Sequence, residues 1–90
     1  MARRLFTVED TFEVRGHGLV LVPGIIPEGD ERFRVGDWIT LRKPDGSSIE
    51  SQIGGLELLH PNPRHDVVII LKGMVKADVP VGTEVWSVDA

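Results

Sequence analysis

The sequence predicts an all-β protein, built as a small closed antiparallel β-barrel of six to eight short strands. Helix signals are weak, because no window keeps apolar residues at helical spacing for three turns without an intervening Gly or Pro. Ten Gly and six Pro interrupt the 90 residues every few positions. Between them, runs rich in Val, Ile, Leu, Phe and Trp recur at roughly ten-residue intervals, which is typical of an antiparallel sandwich or barrel. Closure into a barrel would remove exposed strand edges from this short chain.

The first half of the chain supplies three strand segments. Residues 5–8 open the first strand, and residues 11–14 alternate apolar and polar side chains. Residues 15–18 form a turn, because both glycines in it can adopt positive φ without penalty. The continuous apolar run at 19–22 predicts a strand that is buried on both faces. The Pro-Gly pair that follows is expected to bend or bulge this strand.

The second half supplies the remaining strands. In residues 38–41 apolar and polar positions alternate, and residues 43–46 form a turn in which Pro fixes φ and Asp-Gly tolerates a left-handed conformation. Residues 48–59 form either one long strand or two halves divided at their Gly-Gly pair. The run at 67–71 is the most apolar of the chain and is expected to be a central strand. Residues 83–88 alternate again and close the fold.

Length and composition indicate one soluble domain that covers residues 1–90. The chain has no cysteine, so it has neither disulfides nor thiolate chemistry. Its N-terminus has two arginines but no apolar segment after them, so we expect no signal peptide. The longest apolar stretch, 18–26, is broken by Pro and Gly and is too short to span a bilayer. We therefore expect a cytoplasmic protein that does not bind membranes.

The net charge of −4 is unevenly distributed along the chain. Residues 1–43 hold seven Lys/Arg and seven Asp/Glu, whereas residues 44–90 hold three and seven. The first half could offer a local basic patch for phosphates, or its charges could be scattered and solvated. The patch residues are Arg32, Arg34, Arg42 and Lys43, with Arg3 and Arg4 as further members.

The two tryptophans allow two interpretations. In residues 83–88 the alternation places Val85 and Trp86 on opposite faces of the closing strand. Trp38 and Trp86 could stack nucleobases, because aromatic faces serve as platforms in single-strand binders. With aromatic residues at only 6% of the chain, packing in the core or at a barrel end is the favoured interpretation.

Sequence signatures of catalysis are missing, so we expect a protein that is not an enzyme. There is no G-x-x-x-x-G-K-[ST] phosphate loop, and no serine lies in G-x-S-x-G. We therefore expect this domain alone to bind no nucleotide and no cofactor. His60, His65 and Asp66 could ligate a metal, but their spacing matches no closed site, and a solvated loop is favoured. His17 lies in a predicted turn, and no metal is expected.

Three segments, in this order, resemble the second domain of translational GTPases of the elongation factor Tu type. They are "FEVRGHGLVLVPGIIPEG", "FRVGDWITL" and "LKGMVKADVPVGTEV", and the resemblance covers about residues 5–88. It depends on Phe12, the Gly16-His17-Gly18 turn, Val20, Gly24, Gly29, Val35-Gly36-Asp37, Lys72, Gly73 and Gly82. The sequence departs from the family at Pro23 and at "HPNPRHD", where an Ala-Gly step is usual, so it would be a divergent member.

The resemblance implies a closed antiparallel barrel and a structural role for the turn between Gly73 and Gly82. The two glycines would take unusual φ values where the chain leaves one strand and enters the next. Val75, Val79 and Val81 would cover one end of the barrel. Lys76 and Asp78 would point to water.

The resemblance also implies a function, namely a non-catalytic binding module. In the family, this domain contacts the acceptor end of aminoacyl-tRNA, ribosomal RNA or a neighbouring protein domain. "IGGLELL" matches a family segment with a glutamate near the tRNA-end pocket. The implied surface comprises Glu57, Leu58, Leu59, Arg64 and Lys72. The alternative is a protein-interaction or regulatory module without RNA binding, which the acidic second half favours. The partner would be a protein or an RNA of unknown identity.

Overall fold

The computed structural model describes residues 2–58 and 67–88, and in them every regular element but one is a β-strand. The exception is a single 3₁₀ turn at Lys76–Asp78. The prediction of an all-β protein is confirmed. No helix in the described ranges has the length and apolar character needed to cross a membrane. The eight strands are β1 (Arg4–Thr7), β2 (Asp10–Val14), β3 (Gly18–Ile25), β4 (Trp38–Arg42), β5 (Ser48–Gln52), β6 (Gly55–Leu58), β7 (Val67–Leu71) and β8 (Glu84–Ser87).

The strands form two four-stranded antiparallel sheets. Sheet A has the order β1-β8-β4-β5, and sheet B has the order β2-β3-β7-β6. The apolar strand β7 lies inside sheet B between β3 and β6, so its prediction as a central strand is confirmed. Residues 48–59 proved to contain two strands, β5 and β6, and these belong to different sheets.

β1 and β2 follow each other as one bent segment that passes from sheet A into sheet B. Val8 and Glu9 lie between them, and both stay paired. The Val8 N–H donates to the carbonyl of Thr83, next to β8 (2.8 Å), and the Glu9 N–H donates to the carbonyl of Val22 in β3 (2.9 Å). The backbone hydrogen bonding therefore continues from one sheet into the other.

β5 and β6 pass from sheet A into sheet B in the same way, at Ile53 and Gly54. The Ile53 N–H donates to the carbonyl of Asp37, just before β4 (2.9 Å), and the Gly54 N–H donates to the carbonyl of Ile70 in β7 (2.7 Å). The change of partner occurs between Ile53 and Gly54, so β5 of sheet A runs directly into β6 of sheet B.

The core lies between the sheets and is built from alternate residues of the strands. In β3, Leu19 and Leu21 are fully buried, whereas Val20 and Val22 on the opposite face are only half-buried. The prediction that 19–22 is buried on both faces is therefore wrong, because the outer face of sheet B is only partly covered. The largest fully buried core side chains are Leu19, Leu21, Ile25, Ile39, Leu41, Ile53, Ile69 and Leu71.

The predicted irregularity after residue 22 is confirmed. β3 continues through Pro23 and Gly24, but its pairing with β7 shifts register between Leu21 and Ile25. Gly24 has φ +114°, and a Cβ there would lie 2.8 Å from the Val67 carbonyl oxygen. Only glycine allows the two backbones to approach this closely.

The turn between Gly73 and Gly82 matches its prediction in part. Both glycines have positive φ, +76° and +95°. Val79 is buried (1% exposed), but Val75 and Val81 are 52% and 64% exposed, so their prediction as barrel-end residues is wrong. The 3₁₀ turn directs only one of the three valines inward.

The prediction that Lys76 and Asp78 point to water is confirmed for Lys76, which is exposed, and wrong for Asp78, which is half-buried. Lys76 is exposed, yet its Nζ donates to the carbonyl of Thr11 in β2 (2.8 Å). Asp78 is half-buried, and its Oδ2 accepts a hydrogen bond from the Val75 N–H (3.0 Å). Both residues therefore stabilise the turn, one against β2 and the other within the turn itself.

Candidate functional site

The outward side chains of β4 alternate with core side chains. Ile39 and Leu41 are buried, whereas Trp38 and Arg42 are exposed and Thr40 is half-buried. Of the two packing sites predicted for Trp38, a barrel end stays a prediction, and the core is wrong because Trp38 is 54% exposed. Its position in the alternation decides this, because residues two apart on a strand share a face.

The register of the neighbouring strand brings the second tryptophan to the same face. Trp86 of β8 pairs with Thr40, and Glu84 pairs with Arg42. Trp86 is therefore a diagonal neighbour of Trp38, at a Cα separation of about 7–8 Å. We call this outer surface of sheet A the tryptophan face; it comprises Arg4 of β1, Glu84 and Trp86 of β8, Trp38, Thr40 and Arg42 of β4, and Ser48, Glu50 and Gln52 of β5.

Trp86 is held in place by charged neighbours. The Arg42 guanidinium lies 4.1 Å from the centroid of the Trp86 ring. The Trp86 Nε1–H donates to Glu84 Oε1 (3.0 Å), and Arg4 lies 3.5 Å from the other oxygen of Glu84. The pKa of Glu84 is lowered, first by the hydrogen bond from Trp86 and then by the charge of Arg4. The carboxylate thus stays ionised and fixes the indole edge, while the ring face carries an arginine.

An open hollow of about 430 Å³ lies beside Trp38. Its lining includes the apolar side chains of Leu5, Phe33 and Ile39, with Arg32 and Asp37 among its polar residues. A planar group with an apolar face and a polar edge could therefore place its face against the Trp38 indole and its edge towards Arg32.

The loop that forms this hollow is tied to the N-terminal segment by Arg3. The Arg3 Nε–H donates to Glu31 Oε2 (2.9 Å), and Arg3 Nη2 donates to the carbonyl of Ile26 (3.3 Å). Glu31 Oε1 also accepts a hydrogen bond from the Glu28 N–H (2.9 Å). The hydrogen bonds to the Glu31 carboxylate, first from Arg3 and then from the Glu28 N–H, lower the pKa of Glu31 to about 2. The loop that carries Arg32 and Phe33 is therefore fixed from two sides.

The surface implied by the family resemblance lies on sheet B. Glu57 is exposed on β6 and pairs with Val68, and Lys72 lies one residue beyond β7. Lys72 lies four residue steps beyond Val68, so Glu57 and Lys72 are about 13 Å apart along the strand direction. Leu58 pairs through its backbone with Val67, whereas Leu59 and Arg64 lie outside the described residues.

Lys72 adjoins the same side of the molecule as Trp38. Its aliphatic stem packs over Gly54, where an added Cβ would lie 2.7 Å from Lys72 Cγ. Lys72 and Trp38 line one shallow hollow together, and Lys72 also lines a second with Arg15 and His17 of the first turn. Lys72 therefore shares a hollow with Trp38, whereas it lies about 13 Å from Glu57 along the strand direction.

The four residues of the predicted basic patch fall into two pairs. Arg32 and Arg34 precede β4 and lie at its Trp38 end, whereas Arg42 and Lys43 lie at its other end. The length of β4, about 13 Å over four residue steps, separates the pairs. Both pairs therefore flank the tryptophan face instead of forming one patch.

The described part of the chain contains no group of three or more His, Cys, Asp or Glu side chains that could hold a metal ion. His17 is exposed in the turn before β3, and His60 and His65 lie outside the described residues. A scan against protein-family models found no match, and neither did searches of curated proteins and of solved structures.

Proposed function

We propose that this chain is a non-catalytic binding module that contacts RNA of the translation apparatus, built on a closed β-barrel like the second domain of translational GTPases. The two bent segments support the barrel. If β1 with β2 and β5 with β6 are each counted as one strand, the observed pairings form a ring of six strands. Its order is β1/β2, β3, β7, β6/β5, β4, β8 and back to β1/β2.

The conformations of the glycines also support the kinship. Seven of the glycines that carry the sequence resemblance, all outside "IGGLELL", have positive φ, where a side chain would be strained. At Gly18, moreover, a Cβ would lie 2.5 Å from the Leu71 carbonyl oxygen. These glycines are therefore needed by the backbone path itself; they are Gly16, Gly18, Gly24, Gly29, Gly36, Gly73 and Gly82.

One observation carries the proposal of RNA contact: five surface cations surround β4 and the end of β7, and all of them except Arg34 line open hollows. Four of the five are exposed, Lys43 is half-buried, and none takes part in an ion pair between described residues. Cations available in this way can neutralise phosphates, which supplies most of the affinity for nucleic acids. They are Arg32, Arg34, Arg42, Lys43 and Lys72.

A salt titration of binding to tRNA and to ribosomes tests this proposal. We expect affinity at low salt that falls linearly on a log–log plot, with a slope of about −0.7 to −0.9 per phosphate contact. Lys72→Gln and the double variant Arg42→Gln/Lys43→Gln should each flatten this slope by about one unit per lysine or arginine removed. Lys76→Gln is the matched control, because the Lys76 ammonium already binds the Thr11 carbonyl. Absence of binding at low salt would refute RNA contact.

A second candidate, a protein-interaction module without RNA binding, is favoured by the outer face of sheet B. Phe12 and Val14 of β2 are 51% and 40% exposed, and Val20 lies beside Phe12 in the adjacent strand. Under this alternative, Phe12→Glu should release a co-purifying protein that the control Val81→Glu, in the turn after β7, still retains. RNA binding would then be absent in the wild type.

A further inference from the structure

The tryptophan face presents two aromatic side chains that are not part of the buried core. Trp38 is more than half exposed, and Trp86 is half-buried under an arginine on the adjacent strand. Large contiguous apolar patches on a protein surface mark sites of interaction or ligand binding. The chain has only two tryptophans, and the fold brings both to this face.

The arrangement suits successive unpaired bases. Sheets that bind single-stranded RNA present aromatic side chains from neighbouring strands, and one base stacks on each ring. Here the two rings are diagonal neighbours across β4 and β8, with the small Thr40 between them. The Arg42 guanidinium already occupies the place that a stacked base would take, 4.1 Å from the Trp86 centroid. A guanidinium in this position can move to a phosphate when a base takes its place.

The charged side chains around the face determine where the phosphates of a bound RNA strand can lie. Arg32 and Arg34 lie at one end of β4, and Arg42 and Lys43 lie at the other. Two carboxylates also belong to the face. Glu84 is bound by Trp86 and Arg4, whereas Glu50 pairs with Thr40 and would repel a phosphate at the centre. The backbone of a bound strand is therefore placed at the two ends, with the bases over the middle.

We propose that the tryptophan face binds two successive unpaired nucleotides of single-stranded RNA, with one base on Trp38 and the next on Trp86 in the place of Arg42. This inference rests on the proposed function and names the part of the RNA that is recognised. It places the contact on sheet A, whereas the family resemblance points to the Glu57 and Lys72 surface of sheet B.

Short oligonucleotides titrated into the full chain test the inference. The probes are fluorescein-labelled oligouridylate and oligoadenylate of eight nucleotides, with a hairpin duplex of matched charge as the control. Binding of the single strands should quench the tryptophan emission, because both tryptophans lie at the contact. Trp38→Ala should weaken binding about 5- to 150-fold, the range expected for loss of one base–aromatic stack. Trp38→Phe should restore most of the affinity.

Trp38 is the primary target because an exposed side chain can be removed without unfolding the protein. Trp86→Ala is the second variant, and its folded state is checked by thermal unfolding. Glu57→Gln and Lys76→Gln are matched controls away from the tryptophan face, and neither should change the quenching. Loss of single-strand binding in Trp38→Ala, with the duplex bound weakly throughout, would support the inference.

Three results would contradict it in distinguishable ways. If Trp38→Ala binds single strands as well as the wild type while Lys72→Gln does not, the inference is wrong and the proposed function stands. If the duplex binds as tightly as single strands, recognition of unpaired bases is wrong although RNA contact remains. If no RNA binds at low salt, both the inference and the RNA function are wrong, and a protein ligand of this face becomes the alternative to test.

Discussion

Replacement of Gly18 by alanine tests whether close approach of β3 and β7 is built into the fold. Gly18 has φ +123°, and a Cβ there would lie 2.5 Å from the carbonyl oxygen of Leu71. Gly16 in the same turn is the matched control. It also has positive φ, +83°, but an added Cβ would meet no atom within 4 Å. The pair thus separates backbone strain from steric clash.

The expected magnitudes follow from these two effects. Both alanine variants incur about 1–2 kcal/mol, because an L-residue is strained at positive φ. Only Gly18→Ala also forces a paired strand to move, at a cost of about 1–3 kcal/mol, which is typical of overpacking. β3 and β7 are both interior strands of sheet B, so the displacement disturbs two further pairings. The sum of about 2–5 kcal/mol is a large part of the roughly 5–13 kcal/mol expected for 90 residues.

Urea unfolding, followed by tryptophan emission, measures the difference. Gly18→Ala should unfold at a lower urea concentration than Gly16→Ala with an unchanged m-value, and its Tm should lie at least about 4 °C lower. Equal losses in the two variants would show that the carbonyl of Leu71 moves freely. The close pairing of β3 and β7 would then not be a constraint on the sequence.

Two further predictions concern the turn and the loop. Val79→Ala should lower the free energy of unfolding by about 2 kcal/mol because the methyl groups of Val79 are buried. Val81→Ala should change it by no more than about 0.5 kcal/mol, because Val81 is exposed. Thermal unfolding of both variants checks this, and equal losses would contradict the assigned burial. Because the pKa of Glu31 is lowered in the folded state to about 2, its bond to Arg3 should stabilise the protein above about pH 5 and cease to do so as the pH falls towards 2. The stability difference between wild type and Glu31→Gln in urea unfolding should therefore shrink over that range, and a difference independent of pH would contradict the assignment.

The strands and their glycine-rich turns could be predicted from sequence because they depend on local chemistry. Alternation of side chains and the φ requirement of glycine act within a few residues. The exposure of Trp38 could also have been read from the sequence, since it alternates with Ile39 and Leu41. Its proximity to Trp86 could not, because the two residues are 48 positions apart and only the register of β4 with β8 joins them.

The predicted sites show the same division between local and long-range information. The sequence identified Lys72 and the four basic residues as surface groups, and the strand predicted at 38–41 already lies between Arg34 and Arg42. It could not reveal that Lys72 shares a hollow with Trp38, because Trp38 belongs to sheet A, Lys72 follows β7 of sheet B, and the two residues lie 34 positions apart. The valines of the final turn failed for a related reason. Val75, Val79 and Val81 look alike in sequence, and only the 3₁₀ turn determines which of them faces the core.

The passage of two chain segments from one sheet directly into the other has a consequence for how the molecule opens. A sheet cannot separate from its neighbour without breaking backbone bonds at Glu9 or at Ile53 and Gly54. The most protected amide hydrogens of both sheets should therefore exchange with solvent through the same opening, with similar opening free energies, as a single cooperative unit. A ligand bound on either surface would slow amide exchange across the whole molecule, so binding at one face would reduce local opening at the other.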